Sequence, residues 1–469
     1  MGKRSYNKTP MREQDPAVRQ HNFKEVALGY DLKEGRLEAN RCLQCKDAPC
    51  VLHCPVMIDI PGFIKQIKED DMEGARKILD RYTNLPAICG RVCPQEKQCE
   101  MVCRLGQSKK FEPVAIGKLE RLVADWALEQ PNEVTNITQD KGKVAIVGSG
   151  PSGLTVAGDL AKLGYQVVIF EALQLPGGVL TYGIPEFRLP KQIVQKEIDQ
   201  IIAQGVKIET DVVVGKTITM DEIRQEFDAC YVGVGAGTPH FMEIPGTDLN
   251  GVYASSEYLT RINLMHGYEF PDYDTPIQPA KNVVVIGGGN VAMDSARSAK
   301  RLGAESVTVI YRRSQAELPA RVEEYHHSVE ENIEYSWLTS PVEYIAGDQG
   351  QLVGVKCIKM KLGEPDTSGR RRPLPISGSE FVIPADTAIE AIGQGANRIL
   401  LDTFPELVTN QRGYVKAHER TCATSVPGIF AGGDIVTGAA TVILAMGAGK
   451  IAAKEIDEYV QFEKASTTV

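Results

Sequence analysis

The amino-acid sequence predicts an α/β protein with two parallel-sheet nucleotide-binding units, preceded by a helical, cysteine-rich segment. Three observations carry this prediction. A glycine turn lies between two apolar β-branched runs at 143–171, a second such unit spans 283–313, and eight of the eleven cysteines fall between Cys42 and Cys103.

The first unit reads KVAIVGSGPSGLTVAGDLAKLGYQVVIFE. A strand over Val144–Val147, the turn Gly148-Ser149-Gly150-Pro151-Ser152-Gly153, a helix over Leu154–Leu163 and a strand over Val167–Phe170 end on Glu171. Strand, turn, helix, strand and acid in that order form the Rossmann-like dinucleotide fingerprint. Gly148 makes the tight turn, Gly150 lets backbone approach a pyrophosphate, and Gly153 lets helix and strand close together. The helix N-terminus offers N–H groups to phosphate, and Glu171 accepts from a ribose hydroxyl.

The chain of 469 residues suggests about three domains. Its 43% hydrophobic and 24% charged content are those of a soluble globular protein. A net charge of −9 without a basic run argues against nucleic acid. No stretch reaches membrane-spanning length, and the polar start MGKRSYNKTPMREQDP has no signal-peptide core, so a cytoplasmic protein is expected. In that reducing compartment a cysteine cluster reads as metal-binding. Cys230, Cys357 and Cys422, in or beside apolar runs, are expected as buried hydrophobes.

Residues 1–35 read as an extended arm that packs on other parts of the chain or on a partner. Then follow Cys42-x2-Cys45-x4-Cys50-x3-Cys54-Pro55, a helix over Ile60–Lys68, a second helical stretch, Cys89-x3-Cys93-Pro94-x4-Cys99-x3-Cys103, and a helical pattern over Val114–Leu128. With one CxxC and two Cys-Pro pairs, the spacing is nearer an iron–sulfur run than two zinc knuckles, though it leaves zinc open.

After Glu171, Pro176-Gly177-Gly178 and Gly183-Ile184-Pro185-Glu186-Phe187-Arg188-Leu189-Pro190 suit a wall laid against a flat ring. Arg188 among apolar residues points to an anionic partner such as a pyrophosphate. A helix over Lys191–Gln204 and strands up to Val232–Gly237 follow. In the second unit, the turn Gly287-x-Gly289-x-x-Ala292 precedes a strand over Val307–Ile310 that ends on Tyr311-Arg312-Arg313. An acid there would repel a 2′-phosphate, whereas paired guanidiniums bind one, so this unit reads as NADP-specific. Further strands are expected over Leu352–Lys361 and Phe381–Ile392, with a hairpin tip over Gly363–Arg372. Near the end, a strand over Gly428–Gly433 runs into Asp434 and a helix over Thr441–Ile456; read alone, Asp434 could cap a helix.

Together, CGRVCPQEKQCE, IGKLER, GSGPSGL, GIPEFRLP, GGGNVAMD, YRRS and AGGD resemble the small (β) subunit of glutamate synthase and its relatives. These include the large subunit of NADH-dependent reduced ferredoxin:NADP⁺ oxidoreductase, also called homotetrameric glutamate synthase, and the N-terminal part of dihydropyrimidine dehydrogenase. The opening MREQDPAVRQHNFKEVALGY and the length look most like the ferredoxin:NADP⁺ oxidoreductase subunit. The resemblance implies a two-domain flavoprotein of α/β class behind an α-helical iron–sulfur domain. Residues 1–138 would hold the arm and two [4Fe-4S] clusters, 139–262 and 384–469 the FAD domain, and 263–383 an inserted NADP(H) domain. It also implies an FAD site of Gly148, Gly150, Ser152, Gly153, Glu171, Gly178, Arg188, Gly433, Asp434 and Thr441. NADP(H) would take Gly288, Gly289, Asn290, Val291, Arg312, Arg313, Ala391, Ile392 and Gly393. One cluster would use Cys42, Cys45, Cys50 and Cys103; the other would use Cys54, Cys93 and Cys99 with Glu120, leaving Cys89 outside. Hydride and redox chemistry then belong to the cofactors, and no general acid or base is named. A flavin- or iron–sulfur-carrying partner subunit, a ferredoxin or a glutamate synthase α chain is expected as redox partner. With no glutaminase or α-type domain, the chain alone is not expected to make glutamate. The rival readings are a stand-alone NAD(P)H-dependent sulfur reductase and a non-catalytic docking subunit, the latter opposed by two intact fingerprints.

Overall fold

The computed structural model describes residues 5–108, 110–131, 137–366 and 369–467. Its N-terminal module is helical. The arm, with a short antiparallel pairing of Arg12–Glu13 and Ala27–Gly29, runs into the helix Leu32–Ala39. That helix starts inside the expected arm because Asp31 and Glu34 form a capping box. The helices Ile60–Lys68, Met72–Tyr82, Pro86–Val92 and Ile116–Leu128 follow. Proline stands in the first turn of Ile60–Lys68 and Pro86–Val92, where its missing N–H costs nothing.

The first parallel sheet has the strand order Ile429–Ala431, Ala229–Val232, Lys143–Val147, Gln166–Phe170, Lys207–Glu209. Lys143–Val147, Pro151–Leu163 and Gln166–Phe170 form the expected strand–helix–strand unit. The helix starts three residues before the expected Leu154, on a proline at its first position. The second parallel sheet has the order Glu334–Trp337, Ser306–Tyr311, Asn282–Ile286, Thr387–Glu390, Val252–Ala254.

This membership corrects two boundaries. Val252–Ala254 and the helix Ser255–Asn263 belong to the second unit, before the expected start at 263, and Thr387–Glu390 belongs to it after the expected end at 383. The two crossing segments pair with each other, Thr238–Pro239 against Gln394–Gly395. The expected strand over Phe381–Ile392 is two strands. Phe381–Pro384 joins an antiparallel meander beside Leu352–Pro365, and the chain then changes sheet to enter Thr387–Glu390. Residues 367 and 368 of the expected hairpin tip lie outside the described residues. The C-terminal helix runs Val442–Thr467, well past Ile456, and packs along Pro151–Leu163. Cys230, Cys357 and Cys422 are buried, as expected.

Candidate functional site

Gly148 turns with φ +98°, and a Cβ on Gly153 would collide with the carbonyl oxygen of Gly148. Both glycines are therefore required by the chain itself. A Cβ on Gly150 would meet nothing within 4 Å, at an ordinary φ of −66°. The open space above Gly150 is what a pyrophosphate would fill, so the turn fits its cofactor. Glu171 is buried; it accepts from Ser149 N–H at 2.9 Å and from Leu173 N–H at 2.9 Å. The Ser149 hydroxyl accepts from Gly177 N–H at 2.9 Å, which lays Pro176–Gly178 over the turn. Gly433, with φ +75°, sits against Ser152, whose hydroxyl meets the Tyr231 hydroxyl. Asp434 accepts from Ala440 N–H at 3.2 Å, and burial pushes its carboxyl up to about 6. Thr441 directly precedes the long C-terminal helix. Gly148, Gly150, Ser152, Gly153, Glu171, Gly178 and Gly433 are thus brought together, with Asp434 following.

Arg188 is paired with the second domain. One guanidinium nitrogen lies 2.7 Å from both carboxylate oxygens of Asp294, and Nε lies 3.1 Å from Glu324. Lys191, which the sequence reading passed over, is equally buried and donates to the carbonyls of Leu180, Ile184 and Leu189, tying the GIPEFRLP loop together.

In the second unit, a Cβ on Gly288 would meet the Tyr311 ring, whereas one on Gly289 would meet nothing within 4 Å. That repeats the open cradle of Gly150. Gly287 abuts Ala391, whose N–H donates to Ile286 O at 2.8 Å. This brings the Ala391-Ile392-Gly393 turn beside the glycine turn, with Val291 and Ile392 partly exposed. Of the two arginines, Arg312 is exposed. Arg313 is buried, donating to Asp366 at 2.7 Å and to Arg371 O at 2.8 Å.

The cysteines fall into two sets. Cys42, Cys45, Cys50 and Cys103 line a cavity of about 30 Å³ and are partly exposed. Burial pushes the Cys50 thiol up to about 12, with Cys103 and Cys42 adding to it. The second set is buried. Burial raises Cys54 to about 11, with Glu120 and Cys93 adding to it, and Cys99 is raised by burial, Glu100, Glu120, Cys54 and Cys93. One oxygen of the Glu120 carboxyl, Oε1, is buried with no hydrogen-bond partner, and burial lifts the group to about 8. An orphaned buried carboxyl is costly alone, and an iron cation held with the neighbouring thiols would offset that cost. Among the described residues, the one group of three such ligands within 4.8 Å of one another is Glu13, Glu323 and His327, an ion-paired cluster with Arg19 and Arg321.

The inner set adjoins the first nucleotide domain. The Cys89 sulfur lies 3.5 Å from that of Met446, and Gly447 abuts Pro55, both contacts being on the C-terminal helix. Glu197 reaches across to cap the helix Pro86–Val92, accepting from Ala87 N–H at 2.6 Å and Ile88 N–H at 3.2 Å. No sequence signal pairs residues 110 apart.

Comparison with known proteins agrees with this geometry. The dihydropyrimidine dehydrogenase domain II, 4Fe-4S cluster model matches residues 19–132, and the pyridine nucleotide-disulphide oxidoreductase model matches 142–449. The glutamate synthase [NADPH] small chain of Azospirillum brasilense is 34% identical over 95% of this chain and 93% of its own length. This chain belongs to the glutamate synthase small-chain family. It is an oxidoreductase of NADP, FAD and 4Fe-4S type. The NADP(+)-dependent formate dehydrogenase subunit beta of Moorella thermoacetica is 41% identical over 90% of this chain, which spans 61% of that relative's length. NADPH-Fe(3+) oxidoreductase subunit beta of Geobacter sulfurreducens is 36% identical over 95% of this chain and 69% of its own. In fold, Mycobacterium tuberculosis FprA in complex with NADPH superposes with a TM-score of 0.59 at 19% identity, covering 70% of this chain and 86% of FprA. Both the formate dehydrogenase and the Fe(3+) oxidoreductase relatives are named as beta subunits. No helix of the described residues is long and apolar enough to cross a membrane.

Proposed function

We propose that this chain carries electrons between NADP(H) and a partner redox subunit through FAD, an inner [4Fe-4S] cluster and an outer one. The FAD site is that around Gly148–Gly153 and Gly433–Thr441, and the NADP(H) site is that of Gly288–Val291, Arg312 and Ala391–Gly393. The inner cluster takes Cys54, Cys93, Cys99 and Glu120; the outer takes Cys42, Cys45, Cys50 and Cys103. When bound, these groups supply hydride transfer and one-electron transfer. The observation that carries the order is the contact of Pro55, next to Cys54, with Gly447 on the C-terminal helix. It supports an inner set beside the helix that starts at the flavin site, with the partly exposed outer set toward the surface.

What the protein's own residues do is position and insulate. The glycine turns would admit pyrophosphates, Glu171 would hold a ribose hydroxyl, and Lys191 ties together the loop that would wall the flavin. Pairing of Arg188 with Asp294 fixes the second domain on that wall. The partner is a flavin- or iron–sulfur-carrying subunit that meets the outer set, and the setting is the cytoplasm, where cysteines stay out of disulfides and available to metal. Anaerobic mixing of the reconstituted chain with NADPH tests the reading: the flavin band should bleach first and cluster signals should follow. The isolated chain should reduce dyes and form no glutamate from glutamine and 2-oxoglutarate. Absence of bleaching would overturn the reading.

A further inference from the structure

The segment that closes the second glycine turn also enters the cysteine module. Ala320 N–H donates to Gly288 O at 3.1 Å, and Arg321 N–H donates to Asn290 Oδ1 at 2.8 Å. The side chain of the same Arg321 leaves the nucleotide domain. It donates to Arg91 O at 3.0 Å and to Gln95 Oε1 at 3.1 Å, while Glu323 holds it from its own side at 2.9 Å. Lys97 returns the contact, donating to Pro319 O at 2.8 Å. Arg321 is 5% exposed, so these bonds are shielded from water.

Gln95 stands between two ligands of the inner set. Its N–H donates to Cys93 O at 2.9 Å. Its side chain fills the space over Gly117, where a Cβ would collide with it. Gly117 is one helical turn before Glu120 on Ile116–Leu128. From Asn290 to Cys93 and to Gly117, one helical turn from Glu120, there is thus an unbroken run of direct contacts through Arg321 and Gln95.

We propose that Arg321 and Gln95 couple occupancy of the second glycine turn to the reduction of the inner cluster; the proposal rests on the cofactor reading above. A pyrophosphate settling on Gly289 and Asn290 acts on the groups that hold residues 320 and 321. Any shift of the Arg321 guanidinium acts on Gln95, and so on the placing of Cys93 and Glu120. Cluster potential depends on such local hydrogen bonds and charge. By linkage, reduction of the cluster changes nucleotide affinity by the same factor as the nucleotide changes the reduction equilibrium. The nucleotide site thereby senses whether its electrons have moved on.

The test uses the full-length, iron- and flavin-loaded protein with 2′-phospho-ADP-ribose, which has the pyrophosphate and no nicotinamide to be reduced. Its affinity is measured on oxidised and on reduced protein, and the cluster potentials are followed by electron paramagnetic resonance with and without it. The expected wild-type affinity ratio is about fivefold or more, matched by a shift of one cluster potential. In Gln95→Met the ratio should fall to near one while iron and flavin contents stay at wild-type levels. Gln95→Glu, which keeps an acceptor for Arg321, should retain the ratio. A wild-type ratio near one, or a full ratio surviving in Gln95→Met, would overturn the coupling. A protein that takes up no iron or binds no 2′-phospho-ADP-ribose would instead refute the cofactor reading itself, and the coupling with it.

Discussion

Arg188 and Asp294, 106 residues apart, meet with one guanidinium nitrogen 2.7 Å from each carboxylate oxygen. Arg188 sits on the loop that walls the flavin site, and Asp294 on the helix Asn290–Arg301 that starts at the second glycine turn. The pair therefore fixes one cofactor domain on the other. Asp294 and Glu324 favour the Arg188 cation against the burial that opposes it. Arg188→Ala would leave both carboxylates buried without that partner, at a cost of about 3–5 kcal/mol. A thermal scan should show a large fall in Tm. A Tm within experimental error of wild type would mean that the domains are held by other contacts.

The two open glycines give a sharper test. Gly153→Ala must displace the Gly148 carbonyl, so it should destabilise the chain even without FAD. Gly150→Ala meets nothing in the protein and has a permissive φ, so the apoprotein Tm should be unchanged while FAD affinity falls tenfold or more. Undiminished flavin content in purified Gly150→Ala would show that no phosphate approaches this turn.

These glycines were legible in the sequence because a fingerprint is local: strand, turn and helix adjoin along the chain. The partners of the arginines were not legible, for the opposite reason. Arg313 needs Asp366, 53 residues on, and Arg188 needs Asp294; neither pairing has a short-range pattern. Composition could say that an arginine among apolar residues needs an anion, but not whose. Alternation over Phe381–Ile392 also continues through Ala385-Asp386, and periodicity alone cannot reveal that the chain there leaves one sheet for another.

Arg312 should decide cofactor choice without Arg313. Arg312→Ala is expected to raise the KM for NADPH by tenfold or more, since a charge-assisted bond contributes about 1.5–3 kcal/mol, and to leave the KM for NADH nearly unchanged. Arg313→Ala should instead loosen the hairpin at Asp366 and lower Tm. Steady-state kinetics with both nucleotides separates the two, and equal effects of Arg312→Ala on NADPH and NADH would reduce that arginine to surface charge.

Lys191 makes stability depend on pH. Burial pulls its ammonium down to about 7, with Glu186 and Asp294 opposing and Arg188 adding to the fall. In the unfolded chain the group titrates near 10.4. Between these values the unfolded state binds more protons, so stability rises with pH over that window. Lys191→Met removes the group, and the Tm of wild type relative to this variant should climb from pH 7 to pH 10. A flat difference would mean that the ammonium stays charged throughout.

Glu120 and Cys89 compete for the last place on the inner cluster. Counting favours Cys89, since eight cysteines would complete two four-thiolate sets. Both residues lie near Cys93, Cys89 hydrogen-bonded to it and Glu120 adding to the rise of the Cys89 thiol. Cys89 lies on Pro86–Val92 beside Cys93, with its sulfur 3.5 Å from Met446, a contact that an iron-bound thiolate would exchange for metal. Glu120 has a buried carboxylate oxygen with no hydrogen-bond partner, close enough to Cys54 and Cys99 to raise both thiols. The Arg121 beside it along the helix is engaged elsewhere, by Glu25 at 3.0 Å and Asp125 at 3.1 Å, so a surface ion pair for Glu120 is not what the chain builds. Its carboxyl is raised to about 8 by burial, so ionising it to bind iron releases a proton, and cluster assembly should strengthen as pH rises toward 8. Anaerobic iron counting and electron paramagnetic resonance on Glu120→Ala and Cys89→Ser decide the matter. Glu120→Ala should lose or alter one cluster signal, whereas Cys89→Ser should keep about eight irons per chain, as two four-iron clusters require. The reverse outcome would make Cys89 the ligand and leave the Glu120 carboxyl an uncompensated buried acid.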